Sequence, residues 1–328
     1  MLNKLISCLF VALAATQICC AQQTTETTVK VVDESGTPLS GVDVKVSYPL
    51  MRTGDYSTGA GVTDDEGVYL YSGESLAEFF VTANKEGYYE SRYHGKVYSV
   101  ENNQRVFLSP EVVLTLKEIK EPIPMYARAR LEFVIPEPNK EFGFDLEAAD
   151  WVAPHGTGKS TDVIFAVNGY YNSRNDNESR LVVTFPNEGD GLIEIGGNYR
   201  KGSKLMSPHV APEEGYASRK EWSKSRKENP DATAAAHTKY LIAEDYEEEG
   251  VNYLFRVRTI LDPQGNVVSA HYGKIYGDFK FFGAHEDGSF IGVDALYFNP
   301  TTNDRNLEYK VGENLNIGLR HSLNPYLP

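Results

Sequence analysis

The nine residues APHGTGKST, 153 to 161, end in the Gly-Lys-Ser run with which nucleotide-binding loops grip phosphate. Such a loop needs an earlier glycine where this chain has Ala153, because the backbone must curl around the phosphates. It must also pass from a buried strand into a helix whose free amides face the anion. Here TDVIFAVNGYY follows, which has the composition of a strand. The stretch is therefore expected to be a glycine-rich connection between strands, with no nucleotide bound and no cofactor implied.

Seven histidines, His94, His155, His209, His237, His271, His285 and His321, are scattered along the chain. None opens a His-Glu-x-x-His pattern, so the zinc signature of many peptidases is missing and no metal site is expected from them. His271, close to Tyr272 and Tyr276, has the most unusual surroundings. The absence of a Gly-x-Ser-x-Gly elbow removes the usual α/β-hydrolase arrangement. Glycoside hydrolysis needs two carboxyls about 5 to 9.5 Å apart, and with 46 acids in the chain the sequence selects no pair. Asp145, Glu147 and Asp150 form an acid group beside Trp151, for which a solvated edge is the expectation. No catalytic residue is assigned.

Exposed aromatic rings on a β-sandwich form an apolar platform for a sugar while nearby amides and acids take its hydroxyls. Trp151, Tyr170, Tyr171, Tyr199 and Trp222 each border Gly, Asn or charged residues and are the candidate ligand-binding residues. Core or cross-strand packing is the competing reading for them. NSRNDNES (172–179) and NPTTNDRN (299–306) concentrate oxygen side chains without EF-hand spacing, so Asn/Asp-rich turns are expected there rather than calcium sites. Asn177-Glu178-Ser179 also fits a glycosylation sequon. Arg219, Lys220, Lys224, Arg226 and Lys227 form a basic run ahead of the acidic Glu244, Asp245, Glu247, Glu248 and Glu249, and exposed runs of this kind are usually solvated.

These residues belong to an acidic chain with a leader. Its 328 residues carry a formal net charge of −14, which opposes binding to nucleic acid and to anionic lipid. Lys4, an apolar run from Leu5 to Ala15 and the small residues Cys19-Cys20-Ala21 have the layout of a secretory signal peptide cut after Ala21. The run is too short to cross a bilayer about 30 Å thick as a helix, so no transmembrane anchor is expected to remain. A lipid anchor at Cys19 or Cys20 is disfavoured, because the residues ahead of each fit a lipobox poorly. All three cysteines, Cys8, Cys19 and Cys20, lie in this leader, which excludes a disulfide framework, thiol catalysis and thiolate-bound zinc from the mature chain. The expected location is secreted or periplasmic.

The elements that must position the candidates read as strands, in keeping with 21 tyrosines and 15 phenylalanines. Val42, Val44, Val46 and Tyr48 alternate with polar residues, the period of a half-buried strand, and Val112, Leu114 and Leu116 repeat the pattern. Asp64-Asp65-Glu66-Gly67 and Asp262-Pro263-Gln264-Gly265 have the acid-first, glycine-last chemistry of tight turns. Strands are also expected at 79–83, 131–135, 162–167, 181–185, 192–195, 240–243 and 253–260. Proline-bearing KEIKEPIPMYARA reads as a stiff linker. The expectation is an all-β fold of two domains. A sandwich of seven-stranded type covers 24–118, a linker 119–127, and a larger β-rich, sandwich-like domain 128–328. At most one short helix is expected, at 213–229, where Glu213, Glu214 and Lys227 complement a helix dipole.

The first region resembles the carboxypeptidase regulatory-like family, a transthyretin-like β-sandwich. The resemblance is carried by VKVVDESGTPLSGVDVKV (29–46), GVTDDEGVYL (61–70), FFVTANKEGYY (79–89) and VVLTL (112–116), in the family's order. Gly36 with Pro38 shapes the first turn, Asp64 with Gly67 the second, and Gly87-Tyr88 ends a strand. Val29 departs from the family, many of whose members carry Gly there. The resemblance implies an accessory or scaffolding module without catalytic residues, so it supplies no site residue. The expected function is a secreted, non-catalytic protein whose C-terminal domain binds a glycan or protein partner. Two alternatives stand beside it: a glycan-active hydrolase or lyase using carboxylates in that domain, and a surface protein that self-associates through sheet edges.

Overall fold

The computed structural model describes residues 23–50, 54–102, 104–228, 240–244, 250–283 and 288–328. The expected leader, its cysteines and cleavage point, His237, His285 and the acids Asp245 and Glu247 to Glu249 lie outside the described residues. The described fold is built from strands, with a single 3-10 turn at His321–Leu323 as its only helical element. No helix among the described residues is long and apolar enough to cross a membrane.

Two sheets enclose the N-terminal core. One has the order Glu111–Thr115, Gln23–Val32, Val68–Ser75, and the other Tyr56–Val62, Asp43–Pro49, Glu78–Asn84, Ser91–Lys96. Gln23–Val32 pairs parallel with Glu111–Thr115 and antiparallel with Val68–Ser75. The alternation legible in the sequence is the alternation of burial. Val42, Val44, Val46, Tyr48, Val112, Leu114 and Leu116 all point inward, where they meet Val29, Val31, Phe79 and Val81. The turn at Asp64 closes as expected: Asp64 Oδ1 accepts the amides of Glu66 and Val68, and Gly67 takes φ +74. A side chain at Gly67 would also strike the carbonyl of Val31, so the turn requires glycine on two counts.

Downstream, a seven-stranded sheet runs in the order Gly191–Gly196, Val251–Leu261, Val267–Tyr276, Phe290–Phe298, Ile123–Val134, Tyr309–Asn314, with Lys280–Phe282 also paired to Phe290–Phe298. A six-stranded sheet has the order Asp150–Trp151, Glu141–Asp145, Val163–Ser173, Asp176–Thr184, Arg219–Glu228, Tyr240–Glu244. Both contribute to one apolar core, with Val163, Phe165, Leu181 and Trp222 from the second sheet packing among Tyr253, Phe255, Ile291 and Val293 from the first. The opposite face of the seven-stranded sheet is covered too. Met125, Ala127, Tyr276, Tyr297 and Tyr309 form a second cluster with Leu327, and Leu254, Tyr272 and Leu307 a third with Ala211. Cover on both faces explains why Val251–Leu261 is buried almost continuously from Asn252 to Val257 rather than at every second residue. At Gly273 the sheet leaves no room for a Cβ, which would meet the Phe255 ring and the Tyr297 carbonyl.

Two expectations need correction. Residues 219–228, expected within a helix, form the strand Arg219–Glu228, paired along its length with Asp176–Thr184. Of the charges that favoured a helix, Glu213 and Glu214 precede that strand and Lys227 lies within it, and a neighbouring edge supplies the backbone partners that a lone helix would have found internally. The expected linker, 119–127, enters the strand Ile123–Val134 early, and Met125 and Ala127 are buried. Pro124 is tolerated because it stands at the second residue of that strand, where the ladder has barely begun.

Candidate binding cleft

The APHGTGKST loop is held by the acids that precede it. Asp150 accepts the amide and hydroxyl of Thr157, and Asp145 accepts the amides of Lys159 and Ser160. Gly158 donates to the carbonyl of Trp151. The amides that a phosphate loop would turn toward an anion are thus committed to two carboxylates of this chain. Burial opposes the charge of Asp145, but the amides of Ala148, Lys159 and Ser160 and the Arg258 guanidinium outweigh it and hold the carboxyl below its ordinary range. Asp150 is held low in the same way, burial being overcome by Thr157 and the Trp151 amide.

Arg258 joins this loop to the seven-stranded sheet. Its guanidinium reaches Asp145, Glu147 and Asp162, and its backbone amide and that of Thr259 donate to Asp190. Arg258 has a left-handed φ of +56 at a register irregularity between Val257 and Ile260, which swings the side chain toward the acids. Asp162 is pushed up by burial despite this partner, because its side chain is enclosed while that of Arg258 is partly in water. The acid group beside Trp151 is accordingly a structural ion network, not a solvated edge.

Trp151 and Trp222, expected as platform residues, are 5% and 2% exposed and lie in the shared core. Trp151 donates to the Val134 carbonyl and packs edge-on against Phe133 and Phe144. Trp222 meets Tyr253 and Phe279. Strand alternation turned both rings inward, so neither presents a face to a ligand. Tyr170 and Tyr171 are half-buried near the end of Val163–Ser173, Tyr170 bonded to Asp176 and Tyr171 packed against Phe282. The basic run is divided between the two faces of its strand. Arg219 pairs with Glu221 and Lys227 with Glu178 on one face, while Lys220 reaches Glu194 and the Trp222 ring on the other.

The oxygen-rich turns bind themselves. Asp176 accepts from Asn172, and Asn299 donates to Asp304 and Asn306. No group of three or more His, Cys, Asp or Glu among the described residues is placed to hold a metal. His271 stacks on Phe298, with Thr302 and the Asn299 carbonyl beside its ring nitrogens.

Tyr199 is the expected residue that reaches a cavity. A cleft of about 1100 Å³ opens on the covered face of the seven-stranded sheet, walled by the 197–200 segment and by residues 309–327. Its floor carries Tyr276, Tyr297 and Tyr309, with Tyr297 5.2 Å from each of the other two rings. Tyr199 and Tyr326 stand at the walls, Tyr326 66% exposed. Burial and the neighbouring Tyr199 hydroxyl push the Tyr326 phenol up. Tyr309 is 1% exposed, and its hydroxyl completes no hydrogen bond. Burial raises it, opposed by the nearby Gly312 amide, which falls short of hydrogen-bonding geometry. Around these rings stand Asn314, which binds both backbone groups of Ala127, Asp294 paired with Lys280, and Asp278 accepting from Tyr253 and the Phe279 amide. Sequence reasoning missed Tyr326, Tyr309 and Asn314. Their only local signal was aromatic and amide residues in a polar context, which many other positions share.

No family profile and no curated protein matches the chain in sequence. Among solved structures, the 3-chlorocatechol 1,2-dioxygenase of Rhodococcus opacus 1CP is similar over 30% of this chain and 61% of its own, with 17% identity and a TM-score of 0.24. The chain therefore spans less than two thirds of that enzyme's length. The major pilin subunit of Bacillus cereus matches over 85% of this chain and 96% of its own, at 10% identity and a TM-score of 0.22. The shaft pilin of Lactobacillus rhamnosus GG matches over 74% of this chain and 89% of its own, at 12% identity and a TM-score of 0.21. At these TM-scores the likenesses carry no argument about function.

Proposed function

We propose that this chain is a secreted, non-catalytic binding protein that takes a glycan in the tyrosine-lined cleft, with the N-terminal sandwich as its scaffold. The observation that carries the reading is the convergence of Tyr199 and Tyr326 with amide, carboxylate and ammonium side chains in one cavity of about 1100 Å³. Rings supply apolar faces for the C–H surface of a sugar, and the polar groups answer its hydroxyls. Binding is favoured over hydrolysis because the two cleft carboxylates, Asp278 and Asp294, already have partners. The carboxyl raised by burial, Asp162, is clamped by Arg258 outside the cleft lining.

The test is calorimetric titration of the protein with a panel of soluble polysaccharides, followed by Tyr199→Ala. At least one glycan is expected to bind, and loss of the Tyr199 ring to weaken it about tenfold, the equivalent of ~1.4 kcal/mol. A panel without binders, or unchanged affinity in Tyr199→Ala, would sink the reading.

A further inference from the structure

The cleft wall that carries Tyr199 belongs to a segment with two attachments. On one side it is tied to the seven-stranded sheet, where Asn252 donates to the Gly197 carbonyl at 2.7 Å and Gly197 donates to Gly250. On the other it is seamed to the N-terminal sandwich. Arg92 donates to the Gly202 carbonyl at 3.0 Å, Lys204 donates to the Glu90 carbonyl at 2.9 Å, and Lys117 Nζ donates to the Ser207 carbonyl at 2.9 Å. Residues 197 to 209 therefore form both the wall of the cleft and the join between the two regions.

His209 closes that seam. It is 8% exposed, with Nε2 2.8 Å from the Glu118 carbonyl and 3.7 Å from Glu308 Oε1, and with Nδ1 3.5 Å from Glu34 Oε1. Glu34 and Glu118 belong to the sandwich side of the join, and Glu308 to the other. Both ring nitrogens face oxygen acceptors. A neutral imidazole carries one N–H, so it leaves one side unanswered, whereas the imidazolium donates to both. The other charged and titratable groups packed about the ring are Lys117, held on the Ser207 carbonyl, Lys274, which reaches the Leu307 carbonyl beneath it, and Tyr89, which donates to Glu308 at 3.1 Å. Glu308 also accepts the amides of Lys120 and Glu121, so it is fixed in place and cannot swing away from the ring.

We propose that His209 is a proton-dependent pin: its imidazolium fastens the 197–209 segment to the N-terminal sandwich, and its neutral form loosens that segment together with the Tyr199 wall of the cleft. Histidine side chains ordinarily change charge between pH 5 and 8, which sets the range the test must span. Its consequence for ligand affinity rests on the cleft reading above; the pin itself does not.

Hydrogen exchange on the full chain without ligand separates the two. After correction for intrinsic exchange rates, protection of the 197–209 amides is expected to fall about tenfold between pH 5.5 and 8, the loss of roughly one charge-assisted bond. The strand Asp43–Pro49, remote from the seam, serves as the control that keeps its protection. His209→Gln, which retains one donor and one acceptor, is expected to flatten the response. An unchanged wild-type segment, or a full response surviving in His209→Gln, overturns the proposal. If that variant does not fold, Glu34→Gln at the more exposed partner replaces it: a reduced response supports the pin and an undiminished one overturns it. Glycan titrations that fail while this response stands would reject the cleft ligand and leave the pin intact.

Discussion

The two regions of this molecule bury different things. In the N-terminal sandwich the fully buried polar residues are uncharged: Thr25, Thr27, Thr63, Ser75 and Ser91. Thr25 bonds Ser75, Thr27 bonds the Tyr48 hydroxyl, and Ser91 bonds the Thr115 carbonyl, each a neutral pairing within the sandwich. Downstream, Asp145, Asp162, Asp190, Arg256, Lys274 and Glu308 are all buried. The difference follows from layering. A two-sheet sandwich keeps its charges on wet outer faces, whereas the seven-stranded sheet has both faces covered and must place polar side chains inside. Lys274 shows the cost: burial pulls its ammonium well below its ordinary range, and it is held by the Leu307 carbonyl, Tyr276 and Ser207 rather than by a close carboxylate. The buried acids Asp145, Asp162 and Asp190 gather about Arg258 and Thr259, and Lys274 and Glu308 lie beside the seam, whereas no charged residue is buried in the described part of the N-terminal sandwich.

Three substitutions break or sharpen this contrast, the largest effect first. Arg258→Ala leaves Asp145 and Asp162 buried without their cation and is expected to cost about 3–5 kcal/mol in urea unfolding at pH 7. A loss under ~1 kcal/mol would mean that the network is decorative and the contrast false. Leu114→Ala, at 1% exposure in the sandwich core, is expected to cost about 3 kcal/mol through lost burial and a cavity, equally at pH 7 and pH 3.5. A pH-dependent loss there would show that the sandwich leans on charge after all.

Asp145→Asn is the finest test. The folded carboxyl lies below its ordinary value of 3.8, held there against burial by backbone amides and Arg258. Its contribution is present above the unfolded value and disappears as pH falls through the lower folded one. The variant is expected to lose about 2 kcal/mol at pH 7 and to converge on the wild type as pH falls through the lowered folded value, read as melting temperature against pH. A constant offset across that range would assign the effect to packing.

Much of the fold was legible because strands and turns are local. The period-2 pattern at Val42–Tyr48 and the Asp-to-Gly turns at 64–67 and 262–265 state their geometry within a few residues, and the structure matches them. At Asp262 the same side-chain capture of following amides recurs, with Gln264 and Asn266 donating. The site was less legible. Tyr199 came from its neighbours Gly and Asn, whereas Trp151 and Trp222 had similar neighbours and went inward. The helix expected across 213–229 failed because charge at a segment's ends says nothing about the strand Asp176–Thr184 waiting beside it.

Sequence alone determined the acidic charge, the clustering of all cysteines near one end, the β-rich character and the turn positions, since each depends on composition or on residues a few positions apart. Tertiary structure decided which aromatic faces were left in water and which amides of GTGKST were already taken. It also decided that Tyr199 would meet Tyr309 and Tyr326 across one cavity. Those outcomes depend on a second layer covering a sheet and on contacts between residues more than a hundred positions apart, as when Arg258 reaches Asp145. No periodicity or short motif encodes such a meeting; only the packed layers bring the groups together.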